Sequence, residues 1–342
     1  MPAWRGTWKT KSGRWDEEVI HNRTEAGRGI SRERKEAERL AVRKPHPLSR
    51  GGKIAVLAPA GCVDEGRLST GVEAVQRAGF RVELAQAIRE QKGYLAGDEA
   101  ERAKALREFF RRQDISGVFC ARGGFGSIQL LPYLDAEELN RNPKIFVGYS
   151  DVSILLNWFL QRCGMVTFHG PMVAMELARG LEGRSADFFW GTLLGEKRRW
   201  EVEAGWTVRP GVARAEMMGG CLSILVTTLG TPYEIDTSGK LLFLEDVGEK
   251  PYRIERMLTH LRMAGKLSGL AGVLFGSFTD CEPEGGRGFR EIIEELFHDA
   301  PYPVVAGFPA GHGEENLLLP FGVKMALDGR TGVLSLLESP VA

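Results

Sequence analysis

Residues 117–126 read GVFCARGGFG, a short apolar run that passes directly into a glycine-rich loop. Such a junction is typical of a buried strand whose carboxyl end carries a turn. The same pattern recurs on both sides, because Lys53–Ala58 (KIAVLA) runs into Pro-Ala-Gly and Lys144–Val147 (KIFV) runs into Gly-Tyr-Ser-Asp. Phe80–Leu84 is a further strand-like run. We therefore predict a series of short strands with loops at their carboxyl ends.

Helical patterns separate these strands. Apolar residues recur at steps of three and four near Thr70–Ala78, Ala100–Arg112 and Val152–Arg162. Alternation of strand and helix is typical of βαβ units, in which helices cover both faces of a parallel sheet. The predicted fold class is therefore α/β. In open α/β sheets the loops at the carboxyl ends of the strands form one crevice, where ligands bind.

The second half of the chain has a different pattern, which begins near Gly211. It holds a helix-like run, a strand that ends in Glu-Asp, a long amphipathic helix, another apolar run and a further helix: Leu222–Leu229, Leu241–Leu244, Tyr252–Ala264, Leu270–Phe275 and Arg290–His298. A smaller mixed domain of strands and helices explains this order. The predicted boundaries are an extension over 1–48, a parallel-sheet domain over 49–172, a connecting segment over 173–210 and a C-terminal domain over 211–342.

The N-terminal segment differs from the body of the chain in charge. Residues 1–44 carry a net charge of +5, whereas the remainder carries −5. A charged segment without continuous apolar periodicity is typical of a disordered extension, which we predict for residues 1–48. Two alternatives stay open: a basic arm that binds nucleic acid, and a natural translation start near Val42 that would leave this stretch out of the protein.

Composition excludes several classes of protein. The 342 residues are 43% apolar and 26% charged, which suits about two globular domains. No run approaches the roughly 18 apolar residues of a membrane helix. Lys plus Arg equals Asp plus Glu at 45 each, so no bulk positive field attracts nucleic acid or a membrane. Five cysteines without C-x-x-C spacing, and no secretory signal pattern, favour a cytoplasmic protein.

Ser150 is the first candidate for chemistry. It lies in Gly148-Tyr149-Ser150-Asp151, between an apolar strand and a helix, where a sharp turn would expose the hydroxyl as in a nucleophile elbow. The full G-x-S-x-G pattern is absent, because Val152 occupies the place of the second glycine. A serine at a helix start is also a common N-cap, so both interpretations remain open.

A serine nucleophile needs a base, usually a histidine that a carboxylate orients. Four of the six histidines lie near the N-terminal segment or on helices with charged neighbours: His21, His46, His260 and His298. The other two lie beside glycines, as Phe168-His169-Gly170-Pro171 and Gly311-His312-Gly313. We expect His169 to be a hydrogen-bonded structural residue. Glu245, at the end of the run LLFLE, is the candidate carboxylate, because a buried acid is costly unless it is paired.

Six motifs together resemble the LD-carboxypeptidase family of serine peptidases, also called muramoyltetrapeptide carboxypeptidases. The resemblance covers about residues 50–335. It rests on these stretches in this order: ARGGFG (121–126), VGYSD (147–151), HGP (169–171), GGCLS (219–223), LED (244–246), and Gly311-His312 followed by Asn316 and Pro320-Phe321-Gly322.

The resemblance implies a catalytic triad in which Ser150 is the nucleophile, His312 the base and Glu245 the residue that orients the imidazole. It implies an oxyanion hole made by the backbone N–H groups of Gly124 and Asp151, and neither a metal nor another cofactor. The family fold joins a Rossmann-like N-terminal domain to a smaller, swivelling β/β/α domain, with the active site between them. Homodimers are common in the family, so a homodimer is expected.

The reaction implied is hydrolysis of the L,D amide bond between meso-diaminopimelate and the terminal D-alanine of a murein tetrapeptide, during cytoplasmic recycling of peptidoglycan. The expected partner is thus a murein peptide, not nucleic acid or a membrane. For Arg122 two interpretations stay open: it binds the terminal carboxylate of the substrate, or it forms a structural ion pair. Which form of the murein peptide is preferred is not predicted.

Two alternative functions remain. One is a microcin-immunity type of serine peptidase, which the same resemblance admits and which cleaves aminoacyl-nucleotide analogues. The other is a non-catalytic nucleotide-binding module, since backbone N–H groups of a glycine-rich loop such as 122–126 can bind phosphate. This loop lacks both the G-x-G-x-x-G and the G-x-x-x-x-G-K-[ST] patterns.

Overall fold

The short apolar runs of the sequence are strands in the computed structural model, which describes residues 42–283 and 285–342. In chain order the strands are β1 (Lys53–Leu57), β2 (Arg81–Leu84), β3 (Ile115–Cys120), β4 (Ile145–Gly148), β5 (Thr167–His169), β6 (Trp200–Glu203), β7 (Trp206–Arg209), β8 (Val212–Cys221), β9 (Leu241–Val247), β10 (Gly272–Thr279), β11 (Val304–Ala306), β12 (Leu319–Phe321), β13 (Lys324–Asp328) and β14 (Val333–Leu336).

Helices connect most of these strands. They are α1 (Glu65–Arg77), α2 (Glu99–Arg111), α3 (Ser127–Leu130), α4 (Ala136–Asn140), α5 (Ser153–Cys163), α6 (Gly183–Leu193), α7 (Leu222–Val226), α8 (Pro251–Met263) and α9 (Phe289–Leu296). Helix α1 begins earlier than the apolar spacing predicts, because the Asp64 side chain accepts a hydrogen bond from the Arg67 N–H (2.8 Å) and caps the first turn.

The first sheet has the strand order β12-β5-β4-β3-β1-β2. Strands β1 to β5 pair in parallel, and β3 and β4 are almost wholly buried. A parallel sheet covered on both faces needs continuous apolar strands, which is why the sequence predicts them. β12 comes from the C-terminal part of the chain and pairs antiparallel with β5, with Leu319 opposite His169. The pairing of this short C-terminal strand with the first sheet was not predicted.

The second sheet has the order β6-β14-β13-β8-β9-β10-β11-β7. Its centre, β8 to β11, is parallel, and antiparallel strands flank it on both sides. Residues 173–210, expected to be a connection, contain α6 and also the two edge strands β6 and β7. The fold is therefore α/β, with a parallel-sheet N-terminal domain and a second sheet domain, as predicted.

Residues 42–48 differ from the expectation of a disordered extension. The Arg43 N–H donates to the Gly164 carbonyl (2.7 Å), and Leu48 is buried with its N–H bonded to the Leu193 carbonyl (2.8 Å). An apolar side chain in the core and paired backbone groups hold this stretch against the first sheet domain. The expectation for residues 1–41 lies outside the described residues.

Helix α5 joins the two sheets. Its Ser153 Oγ accepts a hydrogen bond from the Cys221 N–H (3.1 Å), and its Asn157 amide bonds both the carbonyl (2.7 Å) and the N–H (3.2 Å) of Gly219. Ser153 and Asn157 are buried, so their hydrogen bonds are shielded from water. Buried polar groups of this kind are normally paired, as these are. The amino end of α5 is thereby fixed relative to β8. Within the described part of the chain, no helix is long and apolar enough to cross a membrane.

Candidate active site

Ser150 lies at the sharp turn between β4 and α5. Its φ is +62°, a left-handed conformation that a serine rarely adopts, and such strain is concentrated at functional sites. A short 3-10 turn, Ser150–Val152, leads into α5, whose N-cap position is Val152. Ser150 is therefore not the cap of that helix. The backbone has the conformation of a nucleophile elbow even though the second glycine of the motif is missing.

The glycine-rich loop lies directly against Ser150. A Cβ atom at Gly123 would come within 2.8 Å of the Ser150 Cβ and 2.9 Å of its Oγ. Both distances are shorter than the contacts that Cβ atoms make with other heavy atoms in proteins. Only glycine therefore allows the loop to reach the serine. Gly124 follows with a φ of +115°, so the loop turns immediately beside the hydroxyl. The loops that follow β3 and β4 face one another, as the parallel sheet predicts.

Two buried side chains hold this loop. Arg102, which is 3% exposed, donates to the carbonyls of Pro59 and Gly126 (3.1 Å for Gly126) and to the side chain of Gln129 (2.8 Å). The Asp151 carboxylate accepts a hydrogen bond from the Ser127 N–H (2.8 Å), while burial raises the pKa of this carboxyl. The sequence analysis missed Arg102. Its signal was an arginine on the apolar face of α2, beside buried alanine and leucine side chains.

Glu245 and His312 form a short hydrogen bond. The Nδ1 atom of His312 lies 2.6 Å from Oε2 of Glu245, and the His312 backbone N–H donates to the same oxygen (3.2 Å). Gly311 makes this approach possible, because a Cβ there would lie 2.8 Å from the Glu245 Cβ. Its N–H donates to Oδ1 of Asn316 (2.9 Å). The structure therefore brings together the histidine and the carboxylate that are 67 residues apart in sequence.

One detail of the sequence analysis was wrong. It ended the strand at Leu244 and placed Glu245 at its mouth, whereas β9 continues to Val247 and Glu245 is fully buried inside it. A carboxylate in a strand normally faces water. Here it faces histidines on both sides, which offsets the cost of removing it from water.

His169 lies on the second side of Glu245. Its Nε2 is 3.8 Å from Oε1 of the carboxylate, longer than a hydrogen bond, and both residues are fully buried. Neither ring nitrogen of His169 has a hydrogen-bond partner among the described residues. The ring instead contacts Tyr149, Phe243 and Phe321, with centroids 5.7, 5.0 and 5.7 Å away. The expectation that His169 is hydrogen-bonded was therefore wrong.

The electrostatics of this group favour an ionised carboxylate. Burial opposes ionisation of Glu245, but His169 and His312 outweigh it and hold the pKa of the carboxyl well below its usual range. Burial likewise disfavours the charged form of His312, yet the Glu245 carboxylate prevails and raises the pKa of the imidazole. The pair is therefore suited to hold a proton on the ring of His312.

Tyr149 connects the serine turn to the histidine. Its ring packs edge-on against the His312 ring, with centroids 4.8 Å apart, and its hydroxyl donates to Oε1 of Glu176 (2.8 Å). Glu176 also accepts the Met172 N–H (3.1 Å) through its other oxygen. In the described part of the chain, the hydrogen bonds of His312 go to Glu245 and none joins it to Ser150. Catalytic hydrogen bonds of this kind commonly tighten only when substrate binds.

Arg122 forms no ion pair among the described residues. Its guanidinium donates to the Cys62 carbonyl (3.1 Å), while its Nε is buried and has no partner in that part of the chain. Within residues 42–283 and 285–342, no group of three or more His, Cys, Asp or Glu side chains is arranged to hold a metal ion.

Comparison with known proteins matches both halves of the chain to one family. The profile described as LD-carboxypeptidase N-terminal domain covers residues 54–170, and the profile described as LD-carboxypeptidase C-terminal domain covers residues 214–327.

Similar proteins of known name agree with these matches. The chain is 39% identical over 297 residues to the "Probable murein peptide carboxypeptidase" of Bacillus subtilis, which covers 83% of this chain and 91% of that protein. It is 30% identical to the "Murein tetrapeptide carboxypeptidase" of Pseudomonas aeruginosa (81% and 94%) and 28% identical to the "Microcin C7 self-immunity protein MccF" of Escherichia coli (85% and 95%). The crystal structure of muramoyltetrapeptide carboxypeptidase from Oxalobacter formigenes superimposes with a TM-score of 0.76 at 29% identity, over 83% of this chain and 97% of that one.

The chain is therefore an enzyme, a serine-type carboxypeptidase, and the non-catalytic nucleotide-binding module is excluded. It belongs to the LD-carboxypeptidase family, because the two family profiles together cover more than half of its residues. The resemblance stated from the sequence motifs is confirmed.

Proposed function

We propose that the enzyme hydrolyses the L,D amide bond between meso-diaminopimelate and the terminal D-alanine of murein tetrapeptides. The observation that carries this proposal is the part-buried Glu245–His312 hydrogen bond, with Tyr149, the neighbour of the left-handed Ser150, packed against the His312 ring. The names of the relatives from Bacillus subtilis and Pseudomonas aeruginosa support the substrate class.

In the proposed mechanism Ser150 is the nucleophile. Its Oγ attacks the carbonyl carbon of the L-centre of diaminopimelate while Nε2 of His312 accepts the hydroxyl proton. Glu245 holds the ring through Nδ1 and stabilises the imidazolium, which the raised pKa of His312 favours. The carbonyl oxygen becomes an oxyanion that accepts hydrogen bonds from the N–H groups of Gly124 and Asp151.

The second half of the cycle returns the proton. The tetrahedral intermediate collapses, the C–N bond breaks, and His312 gives its proton to the leaving D-alanine amine. Water then attacks the acyl-enzyme with His312 as base, and Ser150 regains its proton when the ester bond breaks. In this scheme Arg122 binds the D-alanine carboxylate, which its unpaired, buried Nε supports.

The oligomeric state and the cellular role are also proposals. We propose that the enzyme works as a homodimer in cytoplasmic recycling of peptidoglycan. The family resemblance supports these statements, and light scattering after gel filtration tests the dimer directly.

A second candidate is cleavage of an aminoacyl-nucleotide analogue. The 28% identity to the microcin self-immunity protein favours it. So do the exposed rings of Phe125, in the glycine-rich loop, and Tyr94, whose centroids are 6.1 Å apart and which are available to stack on a base. This candidate uses the same triad.

One experiment separates the candidates. The protein is incubated with an L,D-linked tetrapeptide, a D,D-linked peptide of equal length and an aspartyl-sulfamoyl adenylate, and the products are followed by mass. We expect D-alanine from the first substrate alone, and none with the Ser150→Ala variant. Cleavage of the adenylate alone would contradict the proposal and favour the second candidate.

A further inference from the structure

A cavity of about 270 Å³ lies beside the candidate active site. Its lining includes Glu176, Arg179, Glu182, Ser185, Glu314 and Asn316. Two of these residues follow His312 in the same loop, and Glu176 accepts the hydroxyl of Tyr149, whose ring contacts His312. The cavity is therefore continuous with the groups that surround the proposed base.

The Asn316 side chain offers the cavity an unpaired hydrogen-bond donor. This side chain is 3% exposed, and its Oδ1 is occupied by the Gly311 N–H. Its Nδ2 is buried and has no partner among the described residues. Buried donors are almost always paired, so an unpaired amide that lines a cavity points to an acceptor supplied by a ligand.

The charges of the cavity define the rest of the ligand. Arg179 is the one cation among the lining residues that the structure describes, and its bond to Glu176 (2.8 Å) leaves further guanidinium donors for a ligand. Glu182 and Glu314 are exposed carboxylates without an ion pair in the described part of the chain. Free donors and unpaired carboxylates in the lining of one cavity complement a group that carries both a carboxylate and an ammonium.

The substrate of the proposed function has one such group. Diaminopimelate ends in a free amino-acid centre of D configuration, joined to the reacting L-centre by a short methylene chain. D-alanine, once bound through its amide, offers only a carboxylate, and a lysine at the diaminopimelate position would offer only an ammonium.

We propose that this cavity binds the free D-centre of diaminopimelate, with its carboxylate on Asn316 and Arg179 and its ammonium on Glu182 and Glu314. The proposal rests on the proposed function and names the element of the substrate that the site selects. It makes the enzyme specific for diaminopimelate over lysine in the peptide.

Four matched tetrapeptides test this subsite: one with diaminopimelate, one in which the D-centre carboxyl is amidated, one in which the D-centre amine is acetylated, and one with lysine. D-alanine release is measured as kcat/KM. We expect the wild-type enzyme to prefer the first peptide over each of the others by at least about tenfold, the factor that one lost charged hydrogen bond corresponds to.

Variants then assign the preference to the cavity. In Arg179→Ala the ratio between the free and the amidated peptide should fall towards one. The double variant Glu182→Gln with Glu314→Gln tests the ammonium. In it, the ratio of kcat/KM for the free peptide to kcat/KM for the peptide acetylated on the D-centre amine should fall towards one. Arg330→Ala, which removes an exposed arginine on the β13–β14 hairpin, should keep both ratios. Thermal unfolding of each variant checks the fold.

The outcomes distinguish the two proposals. Equal rates on all four peptides, or an unchanged ratio between the free and the amidated peptide in Arg179→Ala, overturn the subsite and leave the proposed function standing. Absence of D-alanine from every peptide overturns the proposed function itself.

Discussion

The serine side and the histidine side of the candidate site are built in different ways. Ser150 and Gly123 come from the ends of neighbouring strands of one parallel sheet, where the backbone conformation of both loops sets them against each other. Glu245 and His312 come from the interior of a strand and from a distant loop, and two hydrogen bonds to one carboxylate oxygen join them. The first side depends on backbone conformation, whereas the second depends on buried charge. Substitutions on the two sides should therefore impair the enzyme in different ways.

Ser150→Ala tests the serine side and should have the largest effect. Loss of the Oγ removes the proposed nucleophile, so kcat should fall by about 10⁴-fold or more, with KM little changed. D-alanine release from an L,D-tetrapeptide measures it. Ser268→Ala, on an exposed turn, should keep full activity. Appreciable turnover by Ser150→Ala would mean that another group attacks the substrate.

Glu245→Gln tests the histidine side. An amide preserves the shape but removes the charge that stabilises the imidazolium, so kcat should fall by roughly 10³- to 10⁴-fold. The buried position makes thermal unfolding an essential second measurement, because a Tm close to that of the wild type shows that the fold is kept. If kcat were lowered less than tenfold, the carboxylate would not have the orienting role proposed for it.

His169→Phe sharpens the comparison within the histidine side. Phenylalanine keeps the aromatic contacts with Phe243 and Phe321 but removes both ring nitrogens, including Nε2, which lies 3.8 Å from Oε1 of Glu245. We expect kcat to fall by roughly tenfold, which corresponds to about 1.4 kcal/mol. The fold should be retained. An unchanged kcat would show that the ring acts only by filling space.

The pH dependence of kcat/KM tests the electrostatic coupling of Glu245 and His312 in the intact enzyme. His312 must be neutral to accept a proton, so kcat/KM should rise with pH through the pKa of its ring. The Glu245 carboxylate raises that pKa above its ordinary value of 6.5, and the acidic limb should therefore have its midpoint above 6.5. In Glu245→Gln the midpoint should move down. A midpoint that stays in place after this substitution would assign the limb to another group.

The two sides also differ in how far the sequence alone could predict them. Strands such as β3 and β4 are continuous apolar runs, so their positions and the meeting of their loops were predicted to within about two residues. The elbow could be recognised because a strand, a turn and a helix follow one another locally. Arg102 stands out only as an arginine on the apolar face of α2. No local pattern reveals its partners, which are carbonyls in other loops, or the unpaired amide of Asn316.

Long-range pairing explains the remaining differences. The strand that contains Glu245 continues past it because histidines distant in sequence face the carboxylate on both sides, which no pattern in the run LLFLE reveals. The edge strands β6, β7 and β12 are short, and each pairs with a strand far away in the chain. Such short runs show little apolar periodicity, and their partners are distant in sequence, so the sequence pattern does not distinguish them from loops.

The strand β12 ties the two parts of the chain together in a way that limits how the protein can be cut. Leu319–Phe321 covers the outer edge of β5, and His169, whose ring faces Glu245, ends that strand. A fragment that stops at the end of the matched N-terminal profile would leave the backbone of β5 unpaired along one side, free to associate with other chains. The halves of this enzyme are thus expected to be soluble and folded only when they are made together.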